Sequence, residues 1–283
     1  MRRWSGEQTR FCAVVVVRSI MKIRKYDNFV FDLYGTLVDI RTNEEKSSLW
    51  RQISQVYTSL GAPYSPGELK KCYRRLTEES STLLQREGEK RYGRDFLGEP
   101  DLTEVFRRLY LDKGISCSRE RAAMTANFFR TLSRQKLKVY HGAKETLQKL
   151  RGSGKGVYLL SNAQRDFTRP DLELTGLSDY FDGILISSEE GCRKPSPVFF
   201  RKLLERYGLD AGNCLMVGND MKADVQGAAS VGMDALYIHT ETSPQLTEKP
   251  EAAYAVMDGD WRRVAEILLT AAGIKRKVDD KEA

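Results

Sequence analysis

Short apolar runs that alternate with helical patterns constrain the fold of this chain more than any other feature of its sequence. Each run is apolar on both faces, which is typical of strands buried between two layers of helices. The runs cover residues 29–33, 157–161, 184–187, 215–218 and 235–238, and the helical patterns cover 143–150, 166–174, 197–207 and 224–231. This alternation predicts an α/β fold with a doubly wound, Rossmann-like parallel sheet and right-handed crossovers.

The long stretch between the first two apolar runs predicts a second structural unit. Residues 43–136 have helical character throughout, in four segments with apolar residues at helical spacing, and turn signals separate the segments. We therefore predict a Rossmann-like core at residues 21–40 and 138–273 and an all-helical cap domain at 41–137. Residues 1–20 are expected to form a disordered N-terminal extension, and residues 274–283 a charged tail.

Net charge and the length of the apolar runs argue against two classes of partner. The net charge is +7, but four arginines and one glutamate within residues 1–20 supply +3 of it. The remaining +4 is too small to predict nucleic-acid binding. The apolar run at residues 11–17 is much shorter than the roughly 20 apolar residues that a membrane-spanning helix needs. We therefore expect no nucleic acid and no membrane as partners.

Cysteine and histidine usage narrows the chemistry further. The five cysteines are scattered, odd in number and not at metal-ligand spacing, which favours a reducing, cytoplasmic location. Two histidines cannot build a multi-histidine metal site. The chemistry must therefore depend mostly on carboxylates, hydroxyls and lysine. We expect the protein to be a monomer or a homodimer.

Polar residues follow four of the predicted strands. In an open parallel sheet the ligand lies outside the carboxyl ends of the strands, so these residues should converge at one edge. They are Asp32, Tyr34, Gly35 and Thr36 after the first run, Ser161 and Asn162 after the second, Arg193 and Lys194 after the third, and Asn219, Asp220 and Asp224 after the fourth.

This set of side chains suits a covalent displacement. A carboxylate such as Asp32 is a competent nucleophile towards phosphorus or towards a carbon that bears a leaving group. Thr36 and Ser161 would hydrogen-bond the nucleophile and the transferring group. Lys194 would neutralise the nucleophile and the developing negative charge, as basic groups do in phosphoryl transfer.

The carboxylates also predict a magnesium site. Magnesium prefers hard oxygen ligands, usually one or two carboxylates with substrate phosphate and water. Asp32, Asp220 and the carbonyl of Tyr34 fit that preference, and Asp224 lies one helical turn further on. Asn219 and Asp220 are the alternatives for the direct ligand, and we choose Asp220 because it keeps a second carboxylate near Asp32.

The segments Asp32-Leu-Tyr-Gly-Thr36, Ser161-Asn162, Lys194-Pro195 and Gly218-Asn-Asp-x-x-x-Asp224 resemble, in order and spacing, the four motifs of the haloacid dehalogenase superfamily. The resemblance covers about residues 27–238, and the insert lies where that superfamily places a helical cap. It implies a hydrolase with a covalent aspartyl intermediate and a small-molecule substrate. We expect Gly35, Asn162 and Arg193 to contact that substrate.

Tyr34 departs from the phosphatase pattern and leaves three alternatives open. Phosphatases of this superfamily usually carry a second Asp at this position, which protonates the leaving oxygen. The 2-haloacid dehalogenase branch typically carries Tyr there, and residues 49–52 resemble its halide-binding stretch, with Arg51 as a candidate ligand. The Asp220 and Asp224 pair favours instead a magnesium-dependent phosphatase of a phosphomonoester metabolite. The third alternative is a binding or regulatory member of the fold with weak chemistry.

Overall fold

The computed structural model describes residues 23–246 and 248–274. Within these residues the strands are β1 (Asn28–Phe31), β2 (Val38–Thr42), β3 (Arg134–Val139), β4 (Gly156–Ser161), β5 (Gly183–Ile186), β6 (Cys214–Gly218), β7 (Asp234–Ile238) and β8 (Tyr254–Val256). Six of them form one parallel sheet in the order β5-β4-β1-β6-β7-β8. The strand β1 therefore occupies an interior position, and the predicted α/β fold class is confirmed.

Helices cover both faces of this sheet and form the long insert. The helices are α1 (Ser47–Ser59), α2 (Pro66–Tyr92), α3 (Leu102–Leu111), α4 (Arg119–Ser133), α5 (Ala143–Gly152), α6 (Arg165–Thr175), α7 (Ser187–Glu190), α8 (Pro197–Tyr207), α9 (Gly227–Ala229) and α10 (Trp261–Ala271), and a π-helical turn at Met221–Gln226 precedes α9. None of the helices in the described ranges is long and apolar enough to cross a lipid bilayer.

Alternate residues of β1 explain why the run is apolar on both faces. Phe29 and Phe31 pack into a core with Leu147 of α5 and Leu268 of α10. Val30 faces the opposite core, which contains the phenylalanines of α8. Successive side chains of a strand point to opposite faces of the sheet, so a strand between two cores must be apolar at every position.

The four helices α1–α4 lie between β2 and β3, and we call residues 43–133 the helical insert. They surround an aromatic core of their own, in which Trp50, Tyr73, Phe106 and Phe129 lie in mutual ring contact. Phe167 of α6 joins this core from the side of the main sheet. The predicted boundaries of a separate cap domain stay a prediction.

Local structure differs from the sequence prediction at three places. Residues 134–136 are part of strand β3, which pairs with β2 in an antiparallel ribbon, rather than the end of a helix. The sequence does not predict strand β8, because its segment contains no run of β-branched residues. The helical pattern at 224–231 begins earlier, at Met221, because the Asp220 carboxylate caps the N–H groups of Lys222 and Ala223. The predicted extension at 1–20 and all of the predicted tail except Ile274 lie outside the described residues.

Candidate active site

The nucleophile candidate Asp32 lies at the carboxyl end of β1. Its N–H donates to the carbonyl of Val217 at 2.9 Å, so Asp32 continues the pairing of β1 with β6. The chain then turns sharply, and the carbonyl of Leu33 accepts hydrogen bonds from the three N–H groups of residues 36–38. This nucleophile loop, residues 32–38, holds the Asp32 carboxylate at the edge of the sheet.

Gly35 is required by the turn and by a close approach. Its φ of +84° lies in the left-handed region that favours glycine. A Cβ at this position would lie 2.4 Å from both Asn219 Nδ2 and Thr242 Oγ1, and Thr240 Oγ1 donates to the Gly35 carbonyl at 2.8 Å. Gly35 thus packs the nucleophile loop against the segments that follow β6 and β7.

Lys194 binds the nucleophile directly. Its buried Nζ donates to Asp32 Oδ1 and to Asp224 Oδ1, each at 2.7 Å. Burial alone lowers the pKa of Lys194, but the carboxylates of Asp224 and Asp32 outweigh it and raise that pKa above its ordinary value. Lys194 is therefore a permanent cation that joins the two carboxylates.

Asn162 holds the main chain of Lys194. The N–H of Lys194 donates to Asn162 Oδ1 at 2.8 Å, and Asn162 Nδ2 donates back to the Lys194 carbonyl at 3.0 Å. Both ends of the amide are thus used in one reciprocal pair. Asn162 lines the cavity at Asp32, and its hydrogen bonds hold the backbone of Lys194 in place; its predicted contact with substrate stays a prediction.

The structure does not bring Arg193 or Arg51 to the nucleophile. Residues 191–193 pair in an extended manner with residues 97–99, and the Arg193 N–H donates to the Leu97 carbonyl at 2.9 Å. Neighbouring side chains of an extended segment point to opposite sides, so Lys194 points inwards and Arg193 towards Glu99, on another cleft. Arg51 is exposed on α1, away from the buried face of that helix.

The two predicted hydroxyls are buried beside the nucleophile strand. Thr36 Oγ1 lies 3.3 Å from both Asp32 Oδ2 and Asn219 Oδ1. Ser161 Oγ, at the end of β4, is buried without a hydrogen-bond partner among the described residues. An unpaired buried hydroxyl costs about 1–3 kcal/mol, which is unusual unless a ligand or water completes it.

Asp224 is held on both sides by protein donors. Its Oδ1 accepts from Lys194, and its Oδ2 accepts from the N–H of Asp220 at 3.0 Å. A Cβ on Gly218 would lie 2.2 Å from the Asp224 carboxyl group, so only glycine at 218 leaves room for this arrangement. Burial raises the pKa of Asp224 to about 6 in spite of Lys194, whose charge lowers it.

The oxygen atoms around Asp32 fit a magnesium ion by their chemistry. Asp220 caps the π-helical turn with Oδ1 and lines the cavity, while its Oδ2 accepts no hydrogen bond from the described part of the chain. Within residues 23–246 and 248–274, Asp32 Oδ2 has only the long contact with Thr36. In the described ranges no group of three His, Cys, Asp or Glu side chains is arranged as a complete metal site. Two carboxylates suffice when substrate and water supply the other ligands.

The cavity at Asp32 is small, with a volume of about 220 Å³. Its lining contains Asp32, Asp220 and Asp224 and also a less polar side, of which the sequence pointed only to Tyr34. That side consists of Tyr34, Ile40, Ala223, Thr242 and Pro244. Residues 242–244 follow β7, so the rule about the carboxyl ends of parallel strands would have found them. Two larger surface clefts, of about 1030 and 620 Å³, do not contain Asp32.

The Tyr34 hydroxyl is engaged by α6. It donates to Asp171 Oδ2 at 2.8 Å and lies 3.3 Å from Thr168 Oγ1, and the Arg130 guanidinium stands 5.2 Å from the centre of the ring. Burial raises the pKa of this hydroxyl above its ordinary value. Sequence reasoning missed Asp171, Thr168 and Arg130 because they belong to no motif and approach Tyr34 only in the folded chain.

Comparison with known proteins identifies the family. A family model described as haloacid dehalogenase-like hydrolase matches residues 26–232, which is well over half of the chain and contains all four motifs. The chain belongs to the haloacid dehalogenase-like hydrolases. The phosphoserine phosphatase of Thermus thermophilus is 34% identical to this hydrolase over 165 residues, which are 58% of this chain and 64% of that protein.

A second relative and one solved structure extend the comparison. The ribulose-1,5-bisphosphate 5-phosphatase of Halopiger xanaduensis is 34% identical over 118 residues, 42% of this chain and 49% of that protein. The chain thus spans about half to two thirds of these two relatives. The 2-haloacid dehalogenase of Pseudomonas syringae pv. Tomato is 20% identical, with a TM-score of 0.57 over 86% of this chain and 98% of that chain. At 20% identity the similarity of that structure to this hydrolase shows a shared fold alone.

Proposed function

We propose that this hydrolase is a magnesium-dependent phosphatase that acts on a small phosphomonoester through a covalent intermediate at Asp32. The observation that carries the proposal is the buried Asp32–Lys194–Asp224 cluster, with contacts of 2.7 Å, at the carboxyl edge of the parallel sheet. Relatives named as phosphatases of phosphoserine and of ribulose bisphosphate support the same reaction class.

The charge balance of the cavity supports a bound cation. Asp32, Asp220 and Asp224 line it, against the single ammonium of Lys194. A phosphate monoester would add up to two further negative charges, and like charges at this separation strongly disfavour one another. A magnesium ion bound by Asp32, Asp220 and the Tyr34 carbonyl would offset this repulsion and polarise the phosphoryl group.

The protein groups suggest the sequence of bond changes. Lys194 binds Asp32 Oδ1, and among the described residues Oδ2 has only the long Thr36 contact, so one oxygen of Asp32 can attack phosphorus while the other faces Lys194 or the metal. The bond between phosphorus and the leaving oxygen then breaks, and that oxygen takes the electron pair. Water afterwards attacks the same phosphorus and loses a proton to solvent, from which the departed oxygen takes one up, and the Asp32 carboxylate is released with the electrons of its bond.

Ser161 would complete the binding of the phosphoryl group, while Asp224 and Asn219 support the site. Ser161 Oγ has no partner among the described residues, and an oxygen of the transferring group would satisfy it. Asp224 has both oxygens bound by protein donors, so we assign it to the placement of Lys194 rather than to direct contact with the metal. Asn219, bonded weakly to Thr36, would complete the wall behind Asp32.

The volume of the cavity limits the substrate. A volume of 220 Å³ equals that of roughly seven water molecules at about 30 Å³ each. This accommodates a phosphoryl group and a short organic part, and its wall of Ile40, Ala223 and Pro244 carries no charge. We therefore favour small phosphorylated metabolites without a second anionic group at the far end.

Tyr34 favours 2-haloacid dehalogenation as a second candidate. Halide needs no proton when it leaves, and the Tyr34 hydroxyl is bound to Asp171 rather than directed to a leaving group. The oxygen-rich wall that contains Asp220 favours the phosphatase, because a dehalogenase has no need of a second carboxylate beside its nucleophile.

One experiment separates the two candidates. Phosphate release from p-nitrophenyl phosphate and a panel of small phosphomonoesters is measured with magnesium and with chelator, and chloride release from 2-chloropropionate is measured in parallel. We expect magnesium-dependent phosphate release, and a loss of about a thousandfold or more in kcat for Asp32→Asn. Asp27→Asn is the matched control, because Asp27 is exposed at the opposite end of β1, where it pairs with Lys155. Chloride release that chelator does not affect would establish the dehalogenase instead.

A further inference from the structure

We infer that Asp171 is a positioning residue, which sets the nucleophile loop through Tyr34 only while the helical insert is seated on α6. The inference rests on the proposed reaction of Asp32. Asp171 lies on α6, and only 1% of its side chain is exposed. A carboxylate so deeply buried needs charged partners, because an isolated buried charge is strongly unfavourable.

Those partners come from two different parts of the molecule. Arg130 of α4 donates to Asp171 Oδ2 through Nε at 3.1 Å and Nη2 at 2.7 Å, and Arg134 of β3 donates to Oδ1. Tyr34 of the nucleophile loop donates to the same Oδ2 at 2.8 Å. Asp171 therefore connects the end of the insert with the loop that carries Asp32.

Tyr34 itself also contacts the insert. The Arg130 guanidinium lies over its ring at 5.2 Å, so the same arginine binds both the carboxylate and the aromatic ring. Tyr34 is two residues from Asp32, inside a turn in which the Leu33 carbonyl accepts three N–H groups. A shift of the Tyr34 ring would therefore move the backbone that holds the nucleophile.

Seating of the insert and geometry of the nucleophile are coupled by this arrangement. If α4 and the start of β3 move away from α6, Asp171 loses both guanidinium groups and Tyr34 loses the cation over its ring. The buried carboxylate is then uncompensated and must rearrange, and Tyr34 rearranges with it. The loop thus reaches its reactive geometry only with the insert in place, which restricts reaction to the water-excluded site.

The same helix supplies a matched control. Asp166 lies five residues before Asp171 on α6 and also binds the insert, since it accepts from Thr103 Oγ1 at 2.6 Å and from Arg119 Nη2 at 3.3 Å. Both residues fasten the insert through a carboxylate, but of the two only Asp171 also contacts the nucleophile loop. A purely structural role of Asp171 would lower stability without a specific effect on the nucleophile loop.

The test compares Asp171→Asn, Asp166→Asn and Tyr34→Phe. With p-nitrophenyl phosphate and magnesium, we expect Asp171→Asn and Tyr34→Phe to lower kcat by about 10- to 100-fold with little change in KM, as small misplacements of reacting groups do. Asp166→Asn should leave kcat within about threefold of the parent. The double variant of Tyr34 and Asp171 should lose no more than Asp171→Asn alone, because both act through one contact.

A second measurement does not depend on turnover. Amide hydrogen exchange of residues 33–38, without substrate, should become faster in Asp171→Asn and in Tyr34→Phe but not in Asp166→Asn. Equal loss of kcat in the two aspartate variants, or unchanged exchange in Tyr34→Phe, would overturn the inference. Tyr34→Phe removes a single hydroxyl, so it decides the question even if Asp171→Asn does not fold. If the parent hydrolyses no phosphoester, the proposed function fails, whereas the exchange measurement still decides the coupling.

Discussion

Gly218→Ala is expected to disable the site by adding one methyl group at the end of β6. The new Cβ would lie 2.2 Å from the Asp224 carboxyl group, far inside van der Waals contact. Asp224 must then move, and it cannot move without leaving Lys194, to which it is bonded at 2.7 Å. The methyl group therefore acts on the lysine that holds the nucleophile through Asp224, to which its three nearest atoms belong.

The size of the effect follows from two terms. Overpacking of a filled site costs about 1–3 kcal/mol, and breaking one side of a buried ion pair costs about 3–5 kcal/mol. Because Lys194 keeps Asp32 as a second partner, we take the lower end of both ranges, about 4 kcal/mol in total. For a chain of this size each kcal/mol lowers the Tm by about 2–4 °C, so we expect a decrease of about 8–16 °C.

The assay is thermal unfolding, combined with kcat on p-nitrophenyl phosphate. Gly152→Ala is the control, because Gly152 ends α5 with no atom within 4 Å of its Cβ position, and alanine there should be neutral or slightly stabilising. Adding Asp224→Gly removes the whole clashing side chain, including the Asp224 Cβ at 2.4 Å, so Gly218→Ala should cost little more in that background. A Gly218→Ala protein with the Tm of the parent, or a double variant that shows the sum of the two losses, would refute the steric argument.

Three further predictions concern pH, the leaving group and motion of the insert. Because burial raises the pKa of Asp224 to about 6, its carboxylate is protonated at lower pH and holds Lys194 less well. We therefore expect kcat/KM to fall about tenfold per pH unit below that pKa. A pH profile of kcat/KM that is flat down to about pH 5 would contradict this. Because the Tyr34 hydroxyl is bound to Asp171, it does not protonate the leaving oxygen, and aryl phosphates should react more slowly as the pKa of the leaving phenol rises. A series of substituted phenyl phosphates measures this dependence, and equal rates across the series would count against it. The ribbon of β2 and β3 should act as the hinge of the insert. Hydrogen exchange at Val38–Thr42 and Arg134–Val139 should therefore slow when vanadate binds. No slowing at either strand would argue against a moving insert.

The fold and the central part of the site could be predicted because they follow from periodicity and topology. Runs that are apolar on both faces indicate buried parallel strands, and parallel strands bring their carboxyl ends to one edge. Asp32, Lys194 and Asp224 therefore had to approach one another, and the structure places them in direct contact. Ser161 and Thr36 lie beside them for the same reason.

The remaining features depend on contacts that local patterns do not encode. Whether Arg193 or Lys194 points inwards depends on the pairing of residues 191–193 with the insert, about a hundred positions earlier in the chain. The strand β3 carries three basic residues in six, so no apolar run marks it. Asp171 lies on a helix whose existence was predicted, but its role depends on Arg130 and Tyr34, which reach it only in the folded protein.

The position of β1 in the sheet also determines when this strand can be completed during synthesis. Asn28 pairs with Gly156 on one side and with Cys214 on the other, 128 and 186 positions later in the chain. The helices α1–α4, in contrast, contact mostly one another and leave the ribosome long before either partner strand. Contacts this distant form late, because the loop between them must be closed first. The nucleophile strand of a nascent chain therefore stays unpaired until β4 and β6 have emerged, and its apolar residues are open to chaperones or to aggregation during that interval.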